Sequence, residues 1–325
     1  MDGDDGRRET DELDVEAHTP VLLAEVVKWL EPERGGFFVD ATLGAGGHAE
    51  GLLARSESLR LLGLDRDPEA LESAQSRLSR FAGRTEFLES DFGDFDRVLE
   101  GHAAPDGVLA DLGVSSMQLD QARRGFSFRR DGPLDMRMSS KGPSAADIVA
   151  TASAEELTRI FREYGEERMA AKIARVIVTE RSRGPIASTR QLARIVAGAV
   201  GSRTGKIDPA TRVFQALRIE VNQELLALSR FLAAAVSRLN AGGRLAVIAY
   251  HSLEDRIVKD TFRRDSGVCL CPPRQPRCVC GARRLLKVLT RRPIVPSAFE
   301  QRANRRSRSA RLRVAEKLPE LPASP

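Results

Sequence analysis

No apolar run in this 325-residue sequence approaches the ~18–20 residues that a membrane-spanning helix needs, which argues against a transmembrane protein. Residues 1–16 lack the basic start and apolar middle of a signal peptide, so we expect no secretion by that route. Four cysteines are too few for a disulfide framework. These absences favour a protein of the reducing cytoplasm that has one large or two modest domains.

Charge is distributed unevenly along the chain. Residues 1–16 contain eight acidic and two basic residues, whereas residues 274–313 contain thirteen basic residues and one acid, Glu300. We interpret 1–17 as a disordered acidic tail and 274–313, here called the basic arm, as a surface for a polyanion such as nucleic acid. The alternative is a solvated basic segment. The candidate phosphate contacts in the arm are Arg305, Arg306 and Arg308.

Short apolar segments alternate with amphipathic segments over the first third of the chain. Strands are predicted at 37–40, 61–65, 85–88 and 107–111, and helices at 21–30, 48–54 and 68–81. This alternation predicts an α/β fold, namely a parallel, doubly wound, Rossmann-like sheet with helices on both faces.

The alternation stops after residue 111 and resumes with a fifth predicted strand at 244–250. Helices are predicted between the two at 154–182, 189–200 and 210–235. We therefore predict an inserted all-helical subdomain at 146–212, within a discontinuous sheet domain formed by 18–145 and 213–317. Residues 318–325 contain three prolines and are expected to be frayed.

A glycine-rich turn at 44–47 joins the first predicted strand to the next helix, where backbone N–H groups can approach a ligand. Asp65 follows Gly44 by twenty-one residues, and its carboxylate suits the hydroxyls of a ribose. The pattern Gly44-x-Gly46-x-x-Ala49 matches the dinucleotide fingerprint. However, Asp40 before the turn suits the cationic end of S-adenosylmethionine. At this point both cofactors remain open.

Further candidates follow the third and fourth predicted strands. Phe92 is either an apolar wall for adenine or a core residue, and Asp111 ends the fourth strand, where open α/β sheets bind ligands. Basic and aromatic residues then occur together, as they do on RNA-binding surfaces. These candidate RNA contacts are Arg123, Arg124, Phe126 and Phe128. The alternative is that the two phenylalanines pack this loop onto the protein.

Nine stretches of the sequence resemble the bacterial small-subunit ribosomal RNA cytosine-N4 methyltransferases, the RsmH or MraW family. In chain order they are HTPVLLAEVV at 18–27, VDATLGAGGH at 39–48, LDRDP at 64–68, DGVLADLGVSSMQLD at 106–120, RGFSFRRDGPLDMRM at 124–138, YGEERMAAKIA at 164–174, RVFQALRIEVNQEL at 212–225, IAYHSLEDRIVK at 248–259 and RSRSARLR at 306–313. They are spread in order over nearly the whole chain, from residue 18 to about 317. The resemblance favours S-adenosylmethionine over a dinucleotide.

The resemblance also implies a site and a substrate. The cofactor residues that it implies are Gly46, Gly47, His48, Asp65, Phe92, Asp111 and Gln118. The implied acceptor is N4 of a cytidine in the decoding region of 16S rRNA, within the small ribosomal subunit. Both a monomer and a homodimer are compatible with the sequence. A methyltransferase acting on another acceptor, such as DNA, and a non-catalytic RNA-binding factor are the competing hypotheses.

Catalytic candidates come from the ends of the fourth and fifth strands. The Pro-Pro-aromatic motif of many exocyclic-amine methyltransferases is absent, and Asp111 occupies its place. His251 is expected to face the same cleft and to accept a proton, with a hydrogen-bonded loop histidine as the alternative. Tyr250 is expected to stack on the target base. We expect the basic arm to lie away from the cofactor turn, because the two are far apart in the chain.

The four cysteines form two close pairs, Cys269-x-Cys271 and Cys278-x-Cys280. Two pairs of thiolates can ligate zinc, but the usual spacing within a pair is two to four residues. The tighter spacing favours free, partly buried thiols, so we assign no metal from the sequence.

Overall fold

The computed structural model describes residues 20–139, 141–201 and 208–319. The predicted acidic tail at 1–17 and most of the predicted frayed segment at 318–325 lie outside these residues. No helix among the described residues is both long and apolar enough to cross a bilayer.

The described residues contain seven strands and thirteen α-helices. The strands are β1 Gly36–Asp40, β2 Leu59–Asp65, β3 Thr85–Glu89, β4 Gly107–Asp111, β5 Arg244–Ala249, β6 Leu286–Val288 and β7 Arg311–Lys317. The helices are α1 Leu23–Leu30, α2 Gly47–Leu53, α3 Pro68–Arg77, α4 Phe95–Val98, α5 Ser116–Asp120, α6 Ala145–Thr151, α7 Ala154–Glu163, α8 Ala170–Arg181, α9 Thr189–Val200, α10 Pro209–Asn222, α11 Glu224–Arg238, α12 Ser252–Asp265 and α13 Ala298–Ala303.

The strands form one sheet in the order β3-β2-β1-β4-β5-β7-β6. Strands β1 to β5 are parallel to their neighbours, whereas β7 runs antiparallel to both β5 and β6. The strand order reverses between β1 and β4, which places a ligand crevice at the carboxyl ends of those two strands. The predicted parallel, doubly wound, Rossmann-like sheet is confirmed, and β6 and β7 are two strands that the sequence analysis did not predict.

Alternate residues of each strand pack on opposite faces of the sheet. Val247 of β5 belongs to the cluster that contains α4, α11 and α12, whereas its neighbours Ala246 and Ile248 belong to the cluster that contains α1, α2 and α3. All six residues of β5 are buried. A strand covered on both faces is apolar along most of its length, and this is why RLAVIA is a recognisable strand in the sequence.

Helices α6 to α10, which lie in and around the predicted helical insertion, share a hydrophobic core of their own. This core reaches from Phe126 to Leu217, beyond both ends of the predicted range 146–212. Helix α11 instead packs on the sheet through residues such as Phe231. We therefore propose that the insertion comprises about 122–222, with the backbone break at Gln223 (φ 51°) as its C-terminal boundary.

Two long predicted helices are each interrupted. The segment 154–182 is α7 and α8, separated at Gly165 and Glu166, and the segment 210–235 is α10 and α11. A Cβ atom on Gly165 would lie 2.7 Å from the carbonyl oxygen of Arg212, and Glu166 has a φ of 47°. The break therefore depends on a close approach of α10, which the local sequence does not encode.

The C-terminal part of the basic arm is a strand in the sheet. Leu312 and Val314 of β7 are fully buried, and Arg313 is also buried. The Arg313 guanidinium donates two hydrogen bonds to Asp255 of α12, from Nε to Oδ1 at 2.7 Å and from Nη2 to Oδ2 at 3.1 Å. The segment from 311 onward is therefore structural, and it is neither a surface for a polyanion nor a solvated basic segment.

Candidate active site

The glycine-rich turn between β1 and α2 is shaped by two glycines. Gly46 has a φ of 77°, a conformation that side chains other than glycine rarely adopt. A Cβ atom on Gly47 would lie 2.5 Å from Cγ of Pro20, so the N-terminal segment can pack on the turn only with glycine there. Asp65 at the end of β2 holds the turn, because its Oδ2 accepts a hydrogen bond from Gly44 N at 2.8 Å.

A cavity of about 470 Å³ lies at the carboxyl ends of the parallel strands, within the size range of small-molecule sites. Six of the seven predicted cofactor residues line it, namely Gly47, His48, Asp65, Phe92, Asp111 and Gln118. Gly46 is not among the lining residues, and it acts through its backbone conformation. Phe92 also packs edge-on against Phe231 at 5.6 Å between ring centroids, so it belongs both to the cavity wall and to the core.

Asp40 lies beneath the turn and is 1% exposed. Its Oδ1 accepts a hydrogen bond from Thr42 N at 3.2 Å, whereas its Oδ2 is buried and has no hydrogen-bond partner among the described residues. Burial raises the pKa of Asp40 to about 7, although the nearby imidazole of His48 lowers it. An underbonded carboxylate of this kind is stabilised by a positive charge placed nearby.

Asp111 at the end of β4 is the carboxylate on the cavity wall. Its Oδ1 accepts a hydrogen bond from the hydroxyl of Tyr250 at 2.9 Å, and its backbone N donates to Thr42 Oγ1 at 2.6 Å. Burial raises the pKa of Asp111 to about 7, the Tyr250 hydrogen bond lowers it, and the charge of Glu254 raises it. Asp111 can therefore exchange a proton near neutral pH.

His48 is buried between the N-terminal segment and Asp111. Its Nε2 lies 2.9 Å from the carbonyl oxygen of Val21 and therefore donates to it, and its Nδ1 lies 3.7 Å from Asp111 Oδ2. Burial lowers the pKa of His48, which favours the neutral imidazole. In that form Nδ1 presents a lone pair toward Asp111.

His251 does not line the cavity, so the prediction that it faces the cleft is wrong. It precedes α12 as its N-cap, with Nδ1 accepting a weak hydrogen bond of 3.4 Å from Glu254 N and Nε2 lying 3.1 Å from Glu254 Oε1. Glu254 occupies the place on the cavity wall that we expected for His251. The histidine thus lies beside a buried carboxylate of the cavity wall and is not itself among the lining residues.

Several charged residues of the cavity wall were missed in the sequence analysis, among them Arg218, Glu224 and Glu254. Arg218 of α10 donates two hydrogen bonds of 2.9 Å to the carboxylate of Glu224 across the break at Gln223. These residues lie within two stretches that resemble the family, RVFQALRIEVNQEL and IAYHSLEDRIVK. That resemblance was the only signal available, because neither stretch shows an obvious ligand-binding pattern.

Of the four predicted RNA contacts in the loop after α5, the structure leaves only Arg123 fully exposed. Phe126 is 8% exposed and belongs to the core of the helical insertion, so the prediction that its ring stacks on a base is wrong. Phe128 packs against Phe214 at 5.0 Å between centroids. Arg124 is paired with buried Asp67 at 2.8 Å, which also accepts a hydrogen bond from Gln118, so this arginine is structural as well. Arg123 is exposed and pairs with Glu69.

The short helical turn at 305–309 exposes the three arginines selected in the basic arm, Arg305, Arg306 and Arg308. Arg306 lines the cavity together with Asn304 and Ser309. Glu300 of the preceding α13 also accepts a hydrogen bond of 2.8 Å from Leu22 N in the N-terminal segment. The expectation that the arm lies away from the cofactor turn is therefore wrong, because the arm forms part of the cavity mouth.

The sheet order and the position of the cavity define a Rossmann-like α/β enzyme that binds its ligand at the switch point between β1 and β4. The model of the MraW methylase family matches residues 15–318, and the chain belongs to that family. The family prediction from the sequence motifs is thereby confirmed, and the protein is a methyltransferase.

Relatives of similar length support this assignment. The chain is 51% identical to the ribosomal RNA small subunit methyltransferase H of Carboxydothermus hydrogenoformans over 93% of this chain and 98% of the relative. It is 52% identical to the protein of the same name from Geobacter sulfurreducens over 93% of this chain and 99% of the relative. Among solved structures, an rRNA methylase from Streptococcus thermophilus shows a distant likeness, with 12% identity and a TM-score of 0.39 over 91% of this chain and 94% of that one.

Proposed function

We propose that this methyltransferase transfers a methyl group from S-adenosylmethionine to N4 of a cytidine in the decoding region of 16S rRNA, acting on the small ribosomal subunit. The observation that carries the proposal is the hydrogen-bonded pair Asp111–Tyr250 on the wall of the cavity that also contains the glycine-rich turn. The names of the relatives support ribosomal RNA of the small subunit as the substrate.

Cofactor binding follows from the residues of the cavity wall. Asp65 keeps free lone pairs on its carboxylate oxygens, although Gly44 N and Asp67 N already donate to them, and these lone pairs can accept the ribose hydroxyls. Phe92 offers an apolar surface to the adenine. Asp40 is not on the cavity wall, but its unsatisfied oxygen lies beneath the turn, where its negative charge favours a cationic ligand over a pyrophosphate. This charge preference supports the sulfonium cofactor over a dinucleotide.

The acceptor amine needs hydrogen-bond acceptors to become nucleophilic, because its lone pair is delocalised into the cytosine ring. S-adenosylmethionine supplies an electrophilic methyl group when bound. Asp111 in its ionised form can accept an N–H of the amine and stabilise the positive charge that develops on nitrogen. Tyr250 keeps Asp111 in place through its hydroxyl, and Glu254 adds negative charge behind the pair.

The exposed arginines at the cavity mouth are suited to RNA phosphates. Arg306 reaches the cavity, and Arg305 and Arg308 flank it on the exposed turn 305–309. A cytidine in folded RNA must be turned out of its stack to enter the cavity, and contacts to neighbouring phosphates can hold the RNA backbone while this occurs. Arg123 is a further exposed candidate on the loop after α5.

The test compares small ribosomal subunits isolated from cells with and without this enzyme. Mass spectrometry of their nucleosides is expected to show N4-methylcytidine only when the enzyme is present, and fragment mapping should place it in the decoding region. Purified enzyme should restore N4-methylcytidine in the unmethylated subunits, whereas the Asp111→Asn variant should restore little of it. Methylation of DNA, or a mark that persists without the enzyme, would refute the proposal.

A second comparison tests the size of the substrate. Turnover on a short single-stranded oligonucleotide carrying the target cytidine should be much poorer than turnover on whole subunits, because the helical insertion and the basic arm offer surface for a substrate larger than one stem. Equal turnover on both substrates would contradict recognition of the assembled subunit.

A further inference from the structure

The loop between α12 and β6 has no hydrophobic core of its own. None of the residues 266–285 is buried. The end that leads into β6 is held to α12 by backbone hydrogen bonds, from Leu285 N to Asp265 O at 2.7 Å and from Arg283 N to Arg264 O at 3.1 Å. The rest of the loop contains three prolines and two exposed arginines, Arg274 and Arg277. It therefore lacks the hydrophobic burial that orders loops of this length.

Four cysteine sulfurs from the two ends of this loop converge on one point. All four Sγ atoms lie within 4.8 Å of one another. The distances are 3.4 Å for Cys278–Cys280, 3.6 Å for Cys269–Cys278, 3.8 Å for Cys269–Cys280 and 3.9 Å for Cys271–Cys278. A zinc–sulfur bond of ~2.3 Å in a regular tetrahedron separates the sulfurs by about 3.8 Å. The sulfurs therefore already have the spacing of a tetrathiolate metal site.

The backbone around the sulfurs has an approximate two-fold arrangement. The middle residue of each Cys-x-Cys pair donates its N–H to a sulfur of the opposite pair: Leu270 N to Cys280 Sγ and Val279 N to Cys271 Sγ, both at 3.3 Å. Hydrogen bonds to a ligating sulfur stabilise its anionic form and fix its direction. The spacing of one residue within each pair is tighter than that of usual zinc motifs. The reciprocal hydrogen bonds explain how each pair can still direct both of its thiolates toward one metal ion.

We propose that Cys269, Cys271, Cys278 and Cys280 bind one zinc ion as a structural tetrathiolate site. Four thiolates in tetrahedral spacing favour zinc among the common divalent ions, and a complete set of four protein ligands leaves no open position for catalysis. The ion replaces the missing apolar core and holds the loop at the end of α12. The assignment replaces the free thiols that the sequence spacing favoured.

The test measures metal content and thiol reactivity, neither of which depends on methyl transfer. The full-length protein, purified under reducing conditions, is expected to contain about one zinc per chain by elemental mass spectrometry. Its four thiols should react with a thiol reagent only after a zinc chelator has been added. Cobalt reconstitution should give the intense visible bands of tetrahedral cobalt thiolate.

Variants separate the ligands from the rest of the loop. Cys278→Ser and Cys271→Ser should each lose most of the zinc, while Ser266→Ala, in the same loop but not a ligand, should retain it. Circular dichroism shows whether each variant is folded, and the chelator experiment on the unaltered protein does not depend on the variants. Zinc-free protein with four freely reactive thiols, disulfides between the pairs, or stoichiometric iron instead of zinc would each overturn the proposal.

Discussion

Tyr250→Phe should shift the pH dependence of methyl transfer to higher pH. The substitution removes the hydroxyl that donates to Asp111 Oδ1 at 2.9 Å and keeps the ring. Burial raises the pKa of the Tyr250 phenol, and the adjacent Asp111 carboxylate raises it further, so the hydroxyl remains a donor throughout the working range. Removal of that donor disfavours the ionised form of Asp111 and raises its pKa.

The size of the shift follows from the strength of a hydrogen bond to a charged group. Such a bond contributes about 1.5–3 kcal/mol, which corresponds to a rise of about 1–2 in the pKa of Asp111. Asp111 starts from a pKa of about 7. Because the proposed reaction needs the ionised carboxylate, activity increases as pH rises through this pKa. At pH 7 the variant should therefore be about 5–50-fold slower, and its rate should recover at higher pH.

The assay is kcat/KM for S-adenosylmethionine against pH, with unmethylated small subunits as acceptor, because kcat/KM reports the ionisations of the free enzyme. Tyr164→Phe is the matched control, since Tyr164 is the only other tyrosine and does not line the cavity. Its profile should match that of the unaltered enzyme. An equal loss of rate at every pH in Tyr250→Phe would refute the reasoning and indicate that the hydroxyl acts on the substrate instead of on Asp111.

Three further predictions concern charge. Asp40→Asn should stabilise the protein by about 4 kcal/mol at pH 8, where the carboxylate, whose pKa is raised to about 7 by folding, is ionised in both states. At pH 5 the gain should fall to about 1–2 kcal/mol, because the folded protein holds the proton while the unfolded chain is still largely ionised; chemical denaturation at both pH values measures the difference, and calorimetry should separately show weaker S-adenosylmethionine binding. Replacing Arg305, Arg306 and Arg308 by alanine should weaken subunit binding and flatten the slope of log affinity against log salt by roughly 2, with unchanged thermal stability; an unchanged slope would exclude phosphate contacts. Asp255→Ala should cost about 3–5 kcal/mol in urea unfolding because it leaves the buried Arg313 unpaired, whereas Asp260→Ala on the same helix should cost under about 1 kcal/mol.

Sequence reasoning was most successful where one local pattern has one structural meaning. The glycine-rich turn, Asp65 and Asp111 follow buried parallel strands, and a parallel sheet brings the ends of β1, β2 and β4 to the same edge. Their meeting in one cavity could therefore be predicted without knowledge of the rest of the chain.

Reasoning from local patterns failed where the partner is distant in the sequence. Arg313 was interpreted as part of a basic surface because its partner, Asp255, lies 58 residues earlier. For Phe126 stacking on RNA and packing onto the protein both stayed open, because nothing nearby in the sequence indicates the core into which it packs. Gly165 interrupts a helix because α10 passes close to it. Each error has the same cause: burial is a property of the assembled fold.

The cysteine pairs illustrate a related limit. A spacing of one residue says how far apart two thiols lie within a pair, but it does not say whether the pairs meet. They meet here because the loop returns to α12 through the backbone hydrogen bonds of Arg283 and Leu285. The convergence is thus visible only in three dimensions.

The position of β7 has a consequence for the order in which the nascent chain can fold. Strand β7 lies between β5 and β6, and Glu300 contacts Leu22 across 278 residues of sequence. The edge of β5 stays unpaired and the cavity mouth stays incomplete until residues 300–317 have left the ribosome. Such long-range closure is slow, and an apolar strand edge exposed in the meantime favours aggregation. Translation products that stop before residue 311 should therefore depend on chaperones and be degraded, so that only a chain translated through β7 becomes an active methyltransferase.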